Sequence, residues 1–283
     1  MIQPSLIEAL VNQPICIVDL RNTSDFVENH IAKSISIPCH QLAERLFELP
    51  SKAHPLWVVG EARSIEVATD FLSQRGYHIQ GETAVENIDW KWLSSIRARQ
   101  SGGEMPVLWH PTPLLKKYHN LVTQHCQTTP TTALDLGCGS GRDALYLSML
   151  GCDTTGLDIR QDLLDKAVVM AEQYDCQFTP WCVDIEAEPH LLSPNCYDII
   201  VVFRYLHRPL FPYIKQALKP GGLIFYQTFM QGAERFGKPK NPRYLLQGGE
   251  LTQTFSDYKV IVKVEENLHD GRPISSLVAQ KPK

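Results

Sequence analysis

The sequence predicts an α/β protein of two domains, a small one over residues 1–100 and a larger one over 108–283, joined by a linker at 101–107. Three observations predict it. Short apolar runs alternate with runs of helical period along both halves, the pattern of strands buried between helices. Ser101-Gly102-Gly103-Glu104-Met105-Pro106 concentrates residues that interrupt either kind of element. Near the middle, Leu134-Asp135-Leu136-Gly137-Cys138-Gly139-Ser140-Gly141-Arg142-Asp143 joins an apolar run to a helix-compatible one through three closely spaced glycines. At 283 residues the chain is long enough for two cores.

In the first domain, residues 15–21 form an apolar run ending in Asp19-Leu20-Arg21, which reads as a buried strand. Thr23-Ser24-Asp25-Phe26 opens a short helix with cap residues in place. Residues 30–38 alternate and stop at Pro38, and 55–60 are another buried strand. Residues 64–72 are an amphipathic helix ending near Gly76, and Tyr77-His78-Ile79 begins the next strand.

The second domain opens with a helix over 114–126, after prolines at 106, 111 and 113. Thr132-Ala133-Leu134 leads into the glycine turn, and 143–150 follow as a helix. Residues 154–159 are the second strand. A helix over 161–174 places Leu163, Leu164, Ala167, Val168 and Ala171 at helical spacing. Residues 177–185 are a strand ending in an acid, Asp184. Residues 197–203 are apolar but for Asp198, as expected for a central parallel strand. A helix over 210–218 and the turn Lys219-Pro220-Gly221-Gly222 precede the fifth strand, 223–229. Residues 258–264 and 274–279 flank Asp270-Gly271, a good hairpin turn. The count is seven strands, the last two an antiparallel hairpin.

A strand, a tight glycine loop and a helix place backbone N–H groups beside a nucleotide-like ligand, and glycines let the backbone approach it. Asp158, at the end of the second strand and 23 residues after Asp135, can take both hydroxyls of a ribose. Two features argue against a dinucleotide. The spacing is Gly-x-Gly-x-Gly rather than Gly-x-Gly-x-x-Gly. Asp135 would be repelled by a pyrophosphate but attracted by a ligand carrying a sulfonium and an ammonium.

This stretch closely resembles motif I of the class I S-adenosylmethionine (SAM) methyltransferases, and Leu218-Lys219-Pro220-Gly221-Gly222 before a strand matches the same class. The resemblance covers about residues 108–283 and implies a Rossmann-like sheet with SAM as cofactor. It implies cofactor contacts from Asp135, Gly137, Cys138, Gly139, Gly141, Arg142, Asp158, Ile159, Asp184, Ile185 and Phe203, with Asp184 accepting from the adenine amine. Arg204-Tyr205-Leu206-His207-Arg208-Pro209 leaves the C-terminal end of the central strand, the edge where open parallel sheets bind ligands. Arg204, Tyr205 and His207 are therefore the candidate catalytic residues.

The insert after the fifth strand, Thr228 to Leu246, together with Gly-x-Gly-Arg-Asp, resembles the tellurite-resistance and thiopurine-type methyltransferases. That implies a small anionic or soft acceptor, a metalloid oxyanion or a thiol, with Arg208, Lys238, Lys240 and Arg243 as substrate-binding cations. Charge agrees with that reading. Residues 134–198 hold twelve acids and three bases, a net of −9, and 204–243 hold eight bases and one acid, a net of +7. Two other readings stay open: an RNA-modifying methyltransferase, supported by the basic segment, and a SAM-binding interaction module without turnover.

The first ninety residues resemble a rhodanese-like domain through Asp19-Leu20-Arg21, Phe26 with His30-Ile31, Ile37-Pro38, Val58-Val59, Arg63-Ser64 and Gly76-Tyr77. A working rhodanese carries a cysteine directly after the strand that here ends Val58-Val59-Gly60-Glu61. No cysteine stands there, the loop looks shortened, and Glu61 repels an anion. The domain is therefore expected to be inactive in sulfur transfer and to serve docking or stability, with a possible protein partner.

Net charge is −4, which suggests neither nucleic acid nor membrane as a partner. The N-terminus lacks a basic stretch followed by an apolar one, and no segment reads as a membrane span. The eight cysteines form no Cys-x-x-Cys pair, so no metal site is expected, and reduced thiols in a cytoplasmic protein are.

Overall fold

A computed structural model describes residues 15–283 apart from Ser51, Ala53, Glu104, Leu108, Thr128, Thr129 and His269. The N-terminal stretch read for targeting signals lies outside the described residues, as do Glu104 of the linker and Leu108 at the expected start of the second domain. The chain divides into two compact units, one up to His110 and one over Pro111–Lys283.

The first unit runs β1 (Cys16–Asp19), α1 (Thr23–Glu28), β2 (His30–Ile31), β3 (Ser34–Ser36), β4 (Leu56–Gly60), α2 (Ala62–Gln74), β5 (Ile79–Ala84), α3 (Trp90–Ser95) and β6 (Arg99–Gln100). Its main sheet has the order β3-β1-β4-β5 and is parallel throughout, while β2 and β6 pair antiparallel. Successive side chains of a strand point to opposite faces. Val18 and Val58 accordingly pack with Ile65, Ala68 and Leu72 of α2, and Ile17, Trp57 and Val59 pack with Ile31 and Leu93.

Three details differ from the sequence reading. The alternating run over 30–38 is two short strands, interrupted where Lys33 takes a left-handed φ of 66°. The N-cap of α1 is Asn22 and makes no side-chain cap bond, so Thr23 and Ser24 lie inside the helix. Helix α3 lacks a long periodic signature; it starts because the Asp89 carboxylate accepts the Trp92 N–H at 2.9 Å. The connection from β4 to α2 is Glu61 alone.

The second unit runs α4 (Pro113–Lys117), α5 (His119–Cys126), β7 (Thr131–Leu136), α6 (Arg142–Met149), β8 (Cys152–Asp158), α7 (Gln161–Gln173), β9 (Phe178–Cys182), β10 (Tyr197–Phe203), α8 (Phe211–Ala217), β11 (Leu218–Phe229), α9 (Glu250–Thr254), β12 (Lys259–Asn267) and β13 (Pro273–Gln280). The seven strands form one sheet, order β12-β13-β11-β10-β7-β8-β9, and β13 alone runs opposite to the other six. This is an α/β Rossmann-like fold with a parallel core. Alternate residues of β10 feed two cores: Ile200 and Val202 on one face, Ile199, Val201 and Phe203 on the other. Each such side chain contributes about 1.5–3 kcal/mol on burial. The order reverses between β7 and β10, since the chain leaves β7 toward β8 and β9 but leaves β10 toward β11. A crevice opens at such a point, beyond the C-terminal ends of the strands.

The boundaries shift where side chains compete with the backbone. The helix expected over 114–126 is two helices, broken at Tyr118 (φ −111°, ψ 24°). The third strand of this sheet ends at Cys182. Asp184 therefore lies in a turn, where Oδ1 accepts the N–H groups of Glu186 (3.1 Å) and Ala187 (3.2 Å). The Lys219-to-Gly222 turn is absorbed into β11 as an irregularity opposite Tyr197 and Ile199.

Candidate active site

The crevice holds a cavity of about 350 Å3. Its walls come from the ends of β7 and β8 (Leu136, Gly137, Leu157, Asp158, Ile159), the turn after β9 (Val183 to Glu186), and the end of β10 (Phe203 to Tyr205). The glycine loop folds over the end of β8. Gly137 and Cys138 donate their N–H groups to Leu157 O at 2.8 and 2.9 Å. Gly139 N–H donates to Asp158 Oδ2 at 2.9 Å, and Arg160 N–H donates to Oδ1 at 2.9 Å. The Asp158 carboxylate is thereby aimed, with lone pairs left on both oxygens for a ligand. Gly141 has a φ of 80° and caps α6; a Cβ there would stand 2.7 Å from Ala167 Cβ. Only glycine lets α6 approach α7 this closely.

Beneath the loop lies Asp135, 2% exposed. It accepts from Ala144 N–H at the start of α6, while its Oδ2 is buried without a hydrogen-bond partner among the described residues. Burial, then the Asp143 charge and more weakly Asp158, push this carboxyl well above the usual carboxylate range against the pull of Ala144 N–H. Asp143 is also raised by burial. The Thr112 N–H (2.6 Å) and hydroxyl (2.9 Å), with Arg142 and Arg204 nearby, offset that only in part. Burial and the charges of Asp135 and Asp158 raise the Cys138 thiol, which keeps it in the neutral form. An orphaned carboxylate oxygen among three acids suits a ligand that brings a positive charge.

Of the residues expected at the cofactor, Gly137, Asp158, Ile159, Asp184, Ile185 and Phe203 line the cavity; Asp135, Cys138, Gly139, Gly141 and Arg142 are not part of its lining. Ile159 is 59% exposed, a large apolar side chain left open on the cavity rim.

From the end of β10, Arg204 and Tyr205 also line the cavity. Arg204 takes a left-handed φ of 56°, an unusual conformation for a side chain of this size, and is held by its N–H to Gln227 O at 2.8 Å. Its guanidinium lies over the Phe229 ring, 5.9 Å from the centroid, and forms no hydrogen bond or ion pair among the described residues. The Tyr205 ring sits against Gly137, and its hydroxyl donates to Glu186 Oε1 at 3.0 Å. Burial first, then the Glu186 charge, push this phenol up, so it orients rather than accepts a proton. His207 Nδ1 lies 3.1 Å from Glu186 Oε2, outside the cavity lining. Glu186 thus joins Tyr205 and His207. The sequence reading missed it, although it follows Asp184-Ile185 directly.

The remaining cations do not converge on the cavity. Arg208, expected at the acceptor, spends its donors elsewhere: Nε and Nη2 on Glu250 (2.6 and 2.9 Å), Nη1 on Arg243 O and Nη2 also on Leu245 O. It pins the insert to the start of α9. Lys238, Lys240 and Arg243 lie exposed on the insert and are absent from the cavity wall. Lys238 O accepts Arg272 Nη1, and the Arg243 guanidinium covers the Tyr244 ring at 5.1 Å.

Comparison with known proteins agrees with this geometry. Residues 133–222 match the family described as "Methyltransferase domain". An uncharacterized protein, UNK4.09, of Schizosaccharomyces pombe is 24% identical over 98% of this chain and 96% of its own length. The probable S-adenosyl-L-methionine-dependent methyltransferase TehB of Haemophilus influenzae is 36% identical over 94 residues, and the match spans 32% of each protein. Among solved structures, a putative sarcosine dimethylglycine methyltransferase from Galdieria sulphuraria shares the fold at 15% identity (TM-score 0.50), covering 59% of this chain and 84% of that one. The chain is a SAM-dependent methyltransferase, and SAM is its cofactor. No helix among the described residues is long and apolar enough to cross a membrane.

Proposed function

We propose that the protein methylates a small anionic or soft acceptor, a metalloid oxyanion or a thiol, as its resemblance to the tellurite-resistance type suggests. The observation that carries this reading is Arg204. Its backbone is strained, its guanidinium is free of any ion pair among the described residues, and it lines the cavity. Strained residues are retained where the conformation is useful.

SAM supplies a methyl group already activated on a positive sulfur, so the protein's task is to bind, align and exclude water. Asp158 is placed to accept from ribose hydroxyls, and Asp135 to receive the ammonium of the amino-acid end. Ile159, Val183 and Phe203 offer apolar walls to the base, and Asp184, whose Oδ2 is not used in its turn, accepts from the adenine amine. Arg204 holds the acceptor's negative charge, and Tyr205, fixed by Glu186, sets its approach. Such an acceptor needs no strong base.

The basic segment gives less support to an RNA substrate than its count suggests. Arg208, Lys215 and Lys219 are paired with Glu250, Asp257 and Asp198. In the first unit, the one-residue connection at Glu61 leaves no loop to wrap an anion, which supports an inactive rhodanese-like domain. The test is release of S-adenosylhomocysteine from SAM by the purified protein, with tellurite, selenite, small thiols and bulk tRNA offered in parallel. Turnover with the small acceptors is the expected result. Turnover with tRNA alone, steeply reduced by salt, would replace this reading, and tight SAM binding with no turnover on any acceptor would leave a binding module.

A further inference from the structure

We propose that Cys126 and Cys152 form a redox-modification site, a thiol pair that closes into a disulfide tying α5 to β8. Their sulfurs lie 3.4 Å apart and share a thiol hydrogen bond. The other thiols are placed differently: Cys39, Cys138, Cys176, Cys182 and Cys196 each rest on a backbone carbonyl oxygen. The approach is built into the backbone. Gly151, with a φ of 97°, turns the chain into β8, and a Cβ on it would stand 3.8 Å from Cys126 Cβ. Closure needs the sulfurs to move from 3.4 Å to about 2.0 Å, a side-chain adjustment within one contact.

The two thiols divide the chemistry. Cys126 is partly exposed at the last residue of α5 and Cys152 is 4% exposed at the first residue of β8. With hydrogen peroxide as oxidant, the Cys126 sulfur attacks one peroxide oxygen, the O–O bond breaks, and Cys126 sulfenic acid and one water form. The Cys152 sulfur then attacks the Cys126 sulfur. The S–O bond breaks, and the leaving hydroxide takes the Cys152 proton as a second water. Two electrons pass from the sulfurs to the peroxide. Burial, the Cys126 contact and the Asp198 charge raise the Cys152 thiol, so the second step speeds up as pH rises.

The bridge would span 26 positions. The enclosed segment carries β7, the whole glycine loop and α6, the elements that carry Asp135 and aim Asp158. Cys152 and Asp158 are opposite ends of one strand, so closure restrains the cofactor-binding segment without entering the cavity. The expected consequence is resistance of that segment to unfolding under oxidising conditions, with SAM affinity retained.

The full-length protein is treated with hydrogen peroxide, its remaining thiols are alkylated, and its peptides are mapped. We expect a Cys126–Cys152 cross-linked peptide that forms faster at higher pH, and an unfolding midpoint several degrees above that of the dithiothreitol-treated protein. The midpoint shift should vanish in Cys126→Ala and in Cys152→Ala, with the SAM Kd of oxidised and reduced wild type agreeing within about threefold. The oxidised-against-reduced comparison on wild type stands even if a variant folds poorly. Recovery of both cysteines alkylated while Cys182 or Cys196 is oxidised would overturn the proposal. So would a cross-link that leaves the midpoint unmoved.

Discussion

Replacing Asp135 by Asn should move cofactor affinity and pH-dependent stability in opposite directions. The carboxyl is buried, its Oδ2 lacks a partner, and burial and the neighbouring acids hold its pKa well above the ordinary value. A carboxyl raised in this way contributes stability that is fully present below its ordinary pKa and is lost as pH rises through the folded-state value. Asn carries no charge, keeps an acceptor for Ala144 N–H and removes that loss. The variant's unfolding midpoint should therefore fall less than that of the wild type as pH rises above the ordinary carboxylate range, the remaining fall coming from Asp143, which burial also raises. Binding goes the other way. A charge-assisted hydrogen bond to a cation contributes about 1.5–3 kcal/mol, so losing it weakens SAM binding roughly 10- to 150-fold. Wild-type affinity should also rise with pH as Asp135 ionises, and the variant's should not. Calorimetric titration with SAM and thermal unfolding over one pH series measure both. A variant that binds SAM within about threefold of wild type, or whose midpoint follows the wild-type pH profile, would refute the placement of Asp135 under the ammonium.

Three further outcomes are expected. Gly141→Ala combines left-handed strain of about 1–2 kcal/mol with overpacking of about 1–3 kcal/mol against Ala167 and Leu145, at 2.7 and 3.2 Å. Urea unfolding should show a total loss of about 2–5 kcal/mol, and a loss below about 1 kcal/mol would mean that α6 and α7 separate easily. Arg204→Ala should raise the acceptor KM at least about tenfold with SAM affinity unchanged, and Arg204→Lys should restore part of it; equal steady-state kinetics for all three would remove Arg204 from the acceptor site. Arg208→Ala should cost about 1–2 kcal/mol after allowance for exposure. Burial raises Glu250, but its bonds to Arg208 and to the Gln247 N–H together outweigh that and hold it below the usual range. Its stability is therefore present above the ordinary carboxylate pKa and is lost as pH falls through the folded value. A wild-type acid-unfolding profile that Arg208→Ala does not shift would contradict the pairing.

Much of the cofactor side was legible because its chemistry is local. The glycines, Asp135 and the start of α6 are neighbours in sequence, and a strand–loop–helix segment can close around a ligand in few ways. The acid at the end of the next strand follows from the same geometry: parallel strands joined by a helix bring their C-terminal ends together. The strand over 197–203 was read at its full length because its last five residues, Ile199 to Phe203, are buried on both faces, which leaves an unbroken apolar run.

The acceptor side was harder to read because charge pairing there is not local. Nothing in the sequence distinguishes Arg204 from Arg208, four positions on. The fold turns Arg208 toward Glu250, 42 positions away, and leaves Arg204 on the cavity wall in a conformation normally kept for glycine. Glu186 reads as one acid among twelve until the sheet brings Tyr205 and His207 to it. Cys126 and Cys152, spaced like no known thiol motif, meet only because α5 ends where β8 begins. The amino-acid sequence by itself determined the cofactor, the sheet that carries it and the overall charge of each segment, all set by short-range pattern. Tertiary structure alone decided which cations stay free, which acids stay unpartnered and which thiols touch, because each depends on what another part of the chain brings within a few ångströms.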